Sequence, residues 1–274
     1  MKLIAHRQQR ISLMIGSFLC LFLTGCVKEQ LKKAKTAIQK AATPEIKKEE
    51  LDNPKLKVAI NTFLEEKNYE DAQEFLAYFL QKYADDKEIS TYKFKLADCY
   101  FNLEEYPAAK ELYEHYASTY PSDSLAEHAK YKAIYAQFKQ ILPADLDQKN
   151  TESTIQLCKE YQYDLNNKAY RSEINTIYNA CVNRLIEKEI YVYNFYLKRN
   201  SLSSARKRLD YIKTTYLTKD NNLEPQFLYL ECQLAKKENK IEVLQQKLSN
   251  LEKYQESPYY MLAHALTTQE KFIF

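Results

Sequence analysis

Apolar side chains recur along most of the chain at positions 0, 3, 7 and 10 of successive short segments. Steps of three and four residues place these positions on one face of an α-helix, and a small second residue lets a neighbouring helix approach closely. The five copies are Tyr69, Ala72, Leu76 and Phe79; Tyr106, Ala109, Tyr113 and Tyr116; Thr151, Thr154, Cys158 and Tyr161; Leu202, Ala205, Leu209 and Ile212; and Ile241, Leu244, Leu248 and Leu251. This pattern predicts an all-α fold.

The second copy shows a complete repeating unit. Leu96, Ala97 and Tyr100 mark a first helix, residues 102–105 form a turn, and a second helix follows over residues 107–120. The unit resembles a tetratricopeptide repeat. Five such helix pairs predict a solenoid that buries its core between neighbouring repeats and offers a concave binding surface. A generic helical bundle with the same apolar stripes is the alternative.

The repeats are unevenly spaced. The first positions of successive copies are 37, 45, 51 and 39 residues apart, whereas a regular tetratricopeptide array repeats about every 34 residues. Residues 141–150 (ILPADLDQKN) lack helical periodicity, so we expect an extended loop between the helices of the third repeat. After the fifth copy, Ser257 and Pro258 predict one further helix that caps the array. Its expected apolar face consists of Tyr260, Leu262, Ala263 and Leu266.

The first 25 residues have the pattern of a secretory signal. Three basic side chains precede an apolar run over residues 11–23, which is shorter than the roughly 20 residues that a membrane span needs. The run ends in LTGC, which resembles a bacterial lipobox. That resemblance implies cleavage between Gly25 and Cys26 and attachment of a diacylglyceryl group and an N-acyl chain such as palmitate to Cys26. A cysteine that follows glycine by chance is the alternative.

Lipid on Cys26 would fix the chain to a membrane, because two or more acyl chains at about 0.8 kcal/mol per buried CH₂ hold firmly. Residues 26–53 are charged and rich in lysine. We expect them to form a flexible tether before a repeat domain of residues 54–274; an amphipathic helix on the membrane surface is the alternative. Val27 replaces the Asp that commonly retains Gram-negative lipoproteins in the inner membrane. The expected location is therefore the outer membrane, with the body facing the periplasm.

Charge and glycine content exclude several classes of function. The signal contains three of the 40 Lys and Arg residues and none of the 37 Asp and Glu residues, so the remainder carries 37 of each. This balance argues against nucleic acid as a partner. Gly16 and Gly25 are the only glycines, and both lie in the signal. The rest of the chain therefore cannot form a glycine-rich phosphate-binding loop.

The sequence contains no complete catalytic or metal-binding motif. His115, His128 and His264 lie in separate repeats without the paired spacing of a metal site. Glu-Ser at residues 152–153 and 256–257 is shared with helical lytic transglycosylases, but the glycine-rich surroundings of that site are absent. We predict no enzymatic activity, no metal and no cofactor other than the lipid. Four further cysteines follow Cys26: Cys99, Cys158, Cys181 and Cys232. An oxidising compartment permits disulfides between them, but burial as free, apolar side chains is favoured.

The combined features resemble the BamD/ComL family of lipoproteins of the outer-membrane β-barrel assembly complex. Its motifs correspond to DLDQKNT at residues 145–151, followed by Thr154 and Ile155, and to IYVYNFYLKRN at residues 190–200, followed by Ala205. The resemblance covers about residues 54–255. It implies a scaffold whose C-terminal repeats bind periplasmic domains of the barrel subunit and whose N-terminal repeats receive unfolded β-barrel substrates. The family commonly has Ala at the position of Thr154, and glycine in several repeat turns.

The repeat template also indicates which residues could face a peptide groove. On the first helix of the second repeat these are Thr91, Phe94, Asp98, Phe101 and Asn102. Two aromatic rings beside polar groups suit an extended or hairpin peptide with alternating apolar residues, as in unfolded outer-membrane strands. Packing of Phe94 and Phe101 against the next repeat is the alternative. Competing functions for the whole chain are regulation of cell-wall synthesis or division, and cell-wall hydrolysis.

Overall fold

The computed structural model describes residues 47–217 and 221–268. Within these ranges the chain is helical and has no strand, which confirms the predicted all-α fold. The α-helices of these ranges are α1 Asn53–Glu65, α2 Tyr69–Lys82, α3 Ile89–Asn102, α4 Tyr106–Thr119, α5 Ala126–Phe138, α6 Lys149–Tyr163, α7 Arg171–Lys198, α8 Leu202–Ile212, α9 Glu224–Lys237, α10 Ile241–Leu251 and α11 Pro258–Thr268. The chain divides between Val58 and Ala59 into two units, and the helices from α2 onward belong to the second unit.

The helices of the second unit form a linear array. Each helix from α2 to α11 packs against the next helix in the chain, and the buried side chains form clusters that follow one another in the same order. One cluster joins α3, α4 and α5, the next α5, α6 and α7, the third α7, α8 and α9, and the last α9, α10 and α11. Burial between neighbours is the packing of a helical-repeat solenoid.

Four of the helix pairs share one turn. The residue two positions after the first helix has a positive φ at Lys67, Glu104, Asn200 and Asn239, with φ between 56° and 62°. At Glu104, the N–H of Glu105 donates to Tyr100 O at 2.9 Å and the N–H of Glu104 donates to Phe101 O at 3.1 Å. This is a Schellman motif, which satisfies carbonyls that the end of a helix leaves unpaired. The same two bonds occur in the other three turns.

The turns lead directly into the buried stripes of the second helices. In the second pair, Glu105 is both the last residue of the turn and the N-cap of α4, and its carbonyl accepts from the N–H of Ala109. Ala109 has no exposed surface, and Tyr113 and Tyr116 on the same face are also buried. All four positions of the predicted stripe of α6 are buried, and the stripes of α2 and α8 are buried beyond their first positions. The sequence pattern therefore identified the inner faces of these helices.

The third pair departs from the shared turn, as predicted. Residues 139–148 form a loop between α5 and α6, and α6 begins at Lys149. The buried side chain of Gln148 organises this loop. Its Nε2 donates to Pro143 O at 2.7 Å and to Leu146 O at 3.0 Å, while its Oε1 accepts from Thr151 Oγ1 at 2.8 Å. The loop accounts for the 45-residue step between the second and third copies of the pattern.

The 51-residue step has a different origin, the 28-residue helix α7. Its first half contributes Ile174, Ile177 and Cys181 to one cluster, and its second half contributes Tyr193 and Leu197 to the next. One continuous helix therefore serves two repeats. Only its second half was expected from the sequence, as a tyrosine-rich helix.

Two predicted core positions are wrong. Ile241 is 67% exposed and Leu262 is 47% exposed. Ile241 is the first residue of α10, and its side chain leans toward the helix N-terminus, away from the body of that helix. In α11, Ala263 is fully buried, and Tyr260 and Leu266 pack against the last cluster. Leu262 adjoins Ala263 in sequence and therefore points about 100° away from this buried face.

Candidate functional site

A line of flat rings on α5 is the most distinctive surface feature of the array. His128, Tyr131, Tyr135 and Phe138 follow the spacing 0, 3, 7 and 10, so they share one helix face, and all four are partly exposed. Neighbouring rings along the helix have centroids 6.0–6.2 Å apart and planes within 10–19° of each other. We call these four rings, together with Tyr170 and Phe101, the aromatic ladder.

Tyr170 and Phe101 extend the ladder sideways onto neighbouring elements. Tyr170, which immediately precedes α7, stacks on Tyr131 with centroids 4.7 Å apart and planes 5° apart, and on His128 at 5.2 Å. Phe101 on α3 stacks on Tyr135 at 5.5 Å. Offset stacking of this kind contributes about 0.5–1.5 kcal/mol per pair beyond the burial of area. The rings therefore hold one another in place while part of each remains open.

A small charged network borders the ladder. The ammonium group of Lys132 lies 4.5 Å from the ring centroid of Phe101 and 3.3 Å from a carboxylate oxygen of Asp98. That carboxylate also accepts a 2.5 Å hydrogen bond from the hydroxyl of the buried Tyr113. Burial, assisted by the charge of Lys132, lowers the pKa of His128 below its ordinary value of 6.5. The imidazole is therefore neutral at neutral pH, and the second cation at the ladder is Lys139, whose ammonium group lies 5.1 Å from the ring centroid of Tyr135.

Glu127 fixes the loop that carries Tyr170. Its carboxylate accepts hydrogen bonds from Tyr161 Oη and the N–H of Ala169, both at 2.7 Å, and from the N–H of Lys168. Although burial alone would raise the pKa of Glu127, these hydrogen bonds lower it overall. The hydroxyl of Tyr161 in turn accepts from the N–H of Tyr170 at 3.3 Å. These hydrogen bonds therefore fix the position of Tyr170 over the ladder.

The five predicted groove residues have different surroundings. Phe94 is only 6% exposed and contacts the rings of Tyr113, Tyr116 and His128 at 5.3–5.5 Å, which favours the packing alternative for this residue. Phe101 and Asp98 lie together at the ladder, joined by Lys132.

Thr91 and Asn102, the two remaining groove candidates, are exposed. The side-chain amide of Asn102 donates to Asp98 O of its own helix at 2.7 Å.

Four ladder residues were not predicted from the sequence: Tyr131, Tyr135, Phe138 and Tyr170. His128 was considered only as a possible metal ligand. The first three, with His128, repeat the spacing that identified the buried stripes, and this was the available signal. The repeat template instead places the groove on α3, the first helix of the second repeat. Tyr170 lies just before α7 and outside any helix, so no helical spacing indicated its position.

The cysteines and histidines of the described residues form no chemical site. Cys99, Cys158, Cys181 and Cys232 are buried free thiols. Burial raises the pKa of Cys99, Cys158 and Cys232 to about 12 and that of Cys181 to about 11, so the nucleophilic thiolate is scarce. Over residues 47–217 and 221–268, no group of three or more His, Cys, Asp or Glu side chains is arranged to hold a metal ion.

The N-terminal predictions lie outside the described residues. These are the signal over residues 1–25, the cleavage site between Gly25 and Cys26, lipidation of Cys26 and most of the tether over residues 26–53. They stay predictions. None of the helices in the described part of the chain combines the length and apolar character needed to cross a membrane.

Comparison with models of protein families matches the chain to YfiO, described as an outer membrane lipoprotein, over residues 55–247. The chain belongs to the YfiO family. This is the BamD-type family that the sequence motifs indicated. The YfiO match spans more than half of the chain and includes every residue of the aromatic ladder. No curated protein matches the chain.

Proposed function

We propose that this YfiO-family lipoprotein is a non-enzymatic scaffold of the machinery that assembles β-barrel proteins in the outer membrane. Lipid on Cys26 anchors it, its body faces the periplasm, and its C-terminal repeats bind periplasmic domains of the barrel subunit. The aromatic ladder receives unfolded barrel strands. The observation that carries the proposal is this partly exposed row of stacked rings in a chain of the outer-membrane lipoprotein family.

The chemistry of the ladder fits such strands. Outer-membrane strands alternate apolar and polar side chains and carry aromatic girdles at both ends. Rings already stacked on one another lose little conformational freedom when a ligand binds, which reduces the entropic cost of association. The carboxylate of Asp98 and the ammonium group of Lys132 at the ladder's edge supply an acceptor and a donor for an extended backbone.

Depletion with complementation tests the proposal in cells. The native chain is depleted while a second copy supplies either the wild-type sequence or the Tyr131→Ala/Tyr170→Ala double variant, and barrel-protein levels in the outer membrane are measured. We expect depletion to lower these levels and the double variant to restore them only partly. Tyr163→Ala is the matched control, because Tyr163 is 82% exposed and lies outside the ladder, and it should restore them fully.

Two results would contradict the proposal. Barrel proteins could remain at normal levels during depletion, or gentle detergent extraction could recover the chain without the barrel subunit. Co-purification with peptidoglycan enzymes in place of the barrel subunit would instead favour the cell-wall function.

A further inference from the structure

His128 is the first of the four ladder rings on α5, and other rings hold it in place. It stacks on Tyr170 with centroids 5.2 Å apart and planes 14° apart, and on Tyr131 at 6.2 Å with planes 13° apart. The ring of Phe94 on α3 contacts the imidazole at a centroid distance of 5.3 Å. Three aromatic contacts therefore fix this ring, while part of it remains exposed.

The two nitrogen atoms of the His128 imidazole have no partner within the protein. Over residues 47–217 and 221–268, neither nitrogen forms a hydrogen bond. A neutral imidazole has one N–H donor and one acceptor nitrogen, and each residue of an extended chain has one backbone N–H and one C=O. His128 therefore offers complementary hydrogen-bonding groups at a fixed position beside the apolar rings.

Protonation changes what this position offers. An imidazolium has two donors and no acceptor, so it cannot accept a hydrogen bond from a strand N–H. It also adds a third cation to a ladder that already has Lys132 and Lys139. Burial is the main cause of the lowered pKa of His128, the charge of Lys132 adds to it, and Asp98 opposes both. A ligand that covers the ring removes more water from it and lowers its pKa further.

The surroundings of His128 make it the group that changes charge first on mild acidification. The titratable side chains at this end of the ladder come from three elements: Glu127, Tyr131 and Lys132 on α5, Asp98 on α3, and Tyr170 and Glu173 at the start of α7. Burial raises the pKa of Tyr131, and hydrogen bonds hold the pKa of Glu127 below 4.5. Histidine is the side chain whose ordinary titration falls between about pH 5 and about pH 8.

We propose that His128 hydrogen-bonds the backbone of the strand that the ladder receives, and that only its neutral form does so. The inference rests on the proposed function and deepens it, because it makes the capture of strands dependent on pH. Affinity is complete above pH 6.5, the ordinary pKa of the group, and falls as the pH drops through the lower pKa of the folded chain. Below that pKa, binding releases one proton, and affinity falls by at most about tenfold per pH unit.

The test measures the affinity of the purified full-length lipoprotein, in detergent, for a synthetic peptide. The peptide alternates apolar and polar residues, has blocked termini and contains no His, Asp or Glu, so its own charge is constant between about pH 5 and about pH 7.5. Titration calorimetry should show several-fold weaker binding at the lower pH. In buffers of different ionisation enthalpy, it should also show release of up to one proton per bound peptide at that pH.

Two variants separate hydrogen bonding from ring stacking. His128→Gln keeps an uncharged donor and acceptor, so it should bind at neutral pH about as well as wild type and lose the pH dependence. His128→Phe keeps a ring but loses both groups, so its affinity at neutral pH should fall about two- to tenfold and should not depend on pH. The matched control is His115→Gln on α4, an exposed histidine outside the ladder, which should behave as wild type. Circular dichroism at both pH values establishes that each variant is folded.

Nuclear magnetic resonance of the wild-type chain adds a measurement that needs no variant. The His128 imidazole of the free chain should titrate with a pKa below 6.5, and saturating peptide should lower that pKa further, because the bound strand favours the neutral form. An unchanged or raised pKa of His128 in the complex would overturn the inference.

The remaining outcomes separate failure of this inference from failure of the proposed function. If wild type binds the peptide equally well at both pH values, or if His128→Gln keeps the pH dependence of wild type, His128 is not the binding residue, while the proposed function stands. If wild type does not bind the peptide at any pH, the ladder does not receive strands, and the proposed function fails together with the inference.

Discussion

The shared helical turn predicts that Glu104→Gly stabilises the protein. Glu104 has a φ of 62°, a conformation in which Cβ crowds the following carbonyl at a cost of about 1–2 kcal/mol. Glycine removes this cost but gives the unfolded chain more freedom, which offsets about 0.5–1 kcal/mol. The net gain in unfolding free energy is therefore about 0.5–1 kcal/mol. For a domain of this size it corresponds to a rise in Tm of about 1–4 °C.

The measurement is urea and thermal unfolding of the full chain, followed by far-UV circular dichroism. Glu104→Gln is the matched control, because it removes the charge near the ends of α3 and α4 but retains Cβ, and it should leave stability almost unchanged. Asn200→Gly tests the same reasoning at a second turn. Asparagine tolerates the left-handed region better than glutamate does, so the gain at Asn200, whose φ is 56°, should be clearly smaller.

Three patterns of stability would refute this reasoning. The first is an unchanged or lowered stability for Glu104→Gly, which would mean that the turn stores no backbone strain. The second is an equal gain for Glu104→Gln, which would assign the effect to charge and not to the backbone. The third is an equal gain for Glu104→Gly and Asn200→Gly, which would show that the identity of the native side chain is irrelevant.

Three further changes have expected outcomes. Tyr113→Phe removes the 2.5 Å hydrogen bond to Asp98 and should lower the unfolding free energy by about 1–3 kcal/mol, measured by urea denaturation against Tyr163→Phe as control. In the folded protein the pKa of Glu127 lies below its ordinary value of 4.5. The stability that the Glu127 carboxylate contributes to the fold is therefore fully present above pH 4.5 and is lost as the pH falls through the lower pKa of the folded state. Acid titration should therefore destabilise wild type more than Glu127→Gln. Iodoacetamide, followed by peptide mapping, should leave four thiols unmodified until urea is added: Cys99, Cys158, Cys181 and Cys232.

The sequence predicted the fold well because the helix pairs depend on local patterns. The buried positions of α4 were expected from their spacing alone, since residues three and four apart share a helix face. The turn at residues 102–105 was expected even without glycine, and the structure accommodates it with Glu104 in the left-handed region. Spacing also predicted the loop after α5, because residues 141–150 have no helical periodicity; the observed loop covers residues 139–148.

The length of α7 could not be predicted from such local patterns. Residues 171–198 contain neither proline nor glycine, so no breaker marks a boundary between the third and fourth repeats. The apolar residues of this helix contribute to two successive clusters: Ile174 lies in the first and Tyr193 in the second. A template of separate helix pairs therefore divided one helix into a recognised half and an unassigned half.

For a related reason, the candidate site could be predicted only in part from the sequence. Periodicity shows which residues share a face, but the neighbours that cover that face come from distant parts of the chain. Phe94 and Phe101 both looked suitable for a groove. Tyr113 and Tyr116 on α4 cover Phe94, whereas Phe101 reaches the partly open ring of Tyr135 on α5. Tertiary contacts decided the outcome for each residue.

Burial alone does not account for the aromatic ladder. Five of its six rings pack against buried clusters, Phe101 against one and Tyr131, Tyr135, Phe138 and Tyr170 against the next, yet all six remain partly exposed. The charged groups at the ladder are Asp98, which pairs with Lys132, and Lys139, whose ammonium group lies 5.1 Å from the ring centroid of Tyr135. An unfolded strand offers alternating apolar groups that can cover the exposed parts of the rings. The ladder therefore combines packing between repeats with a surface suited to binding.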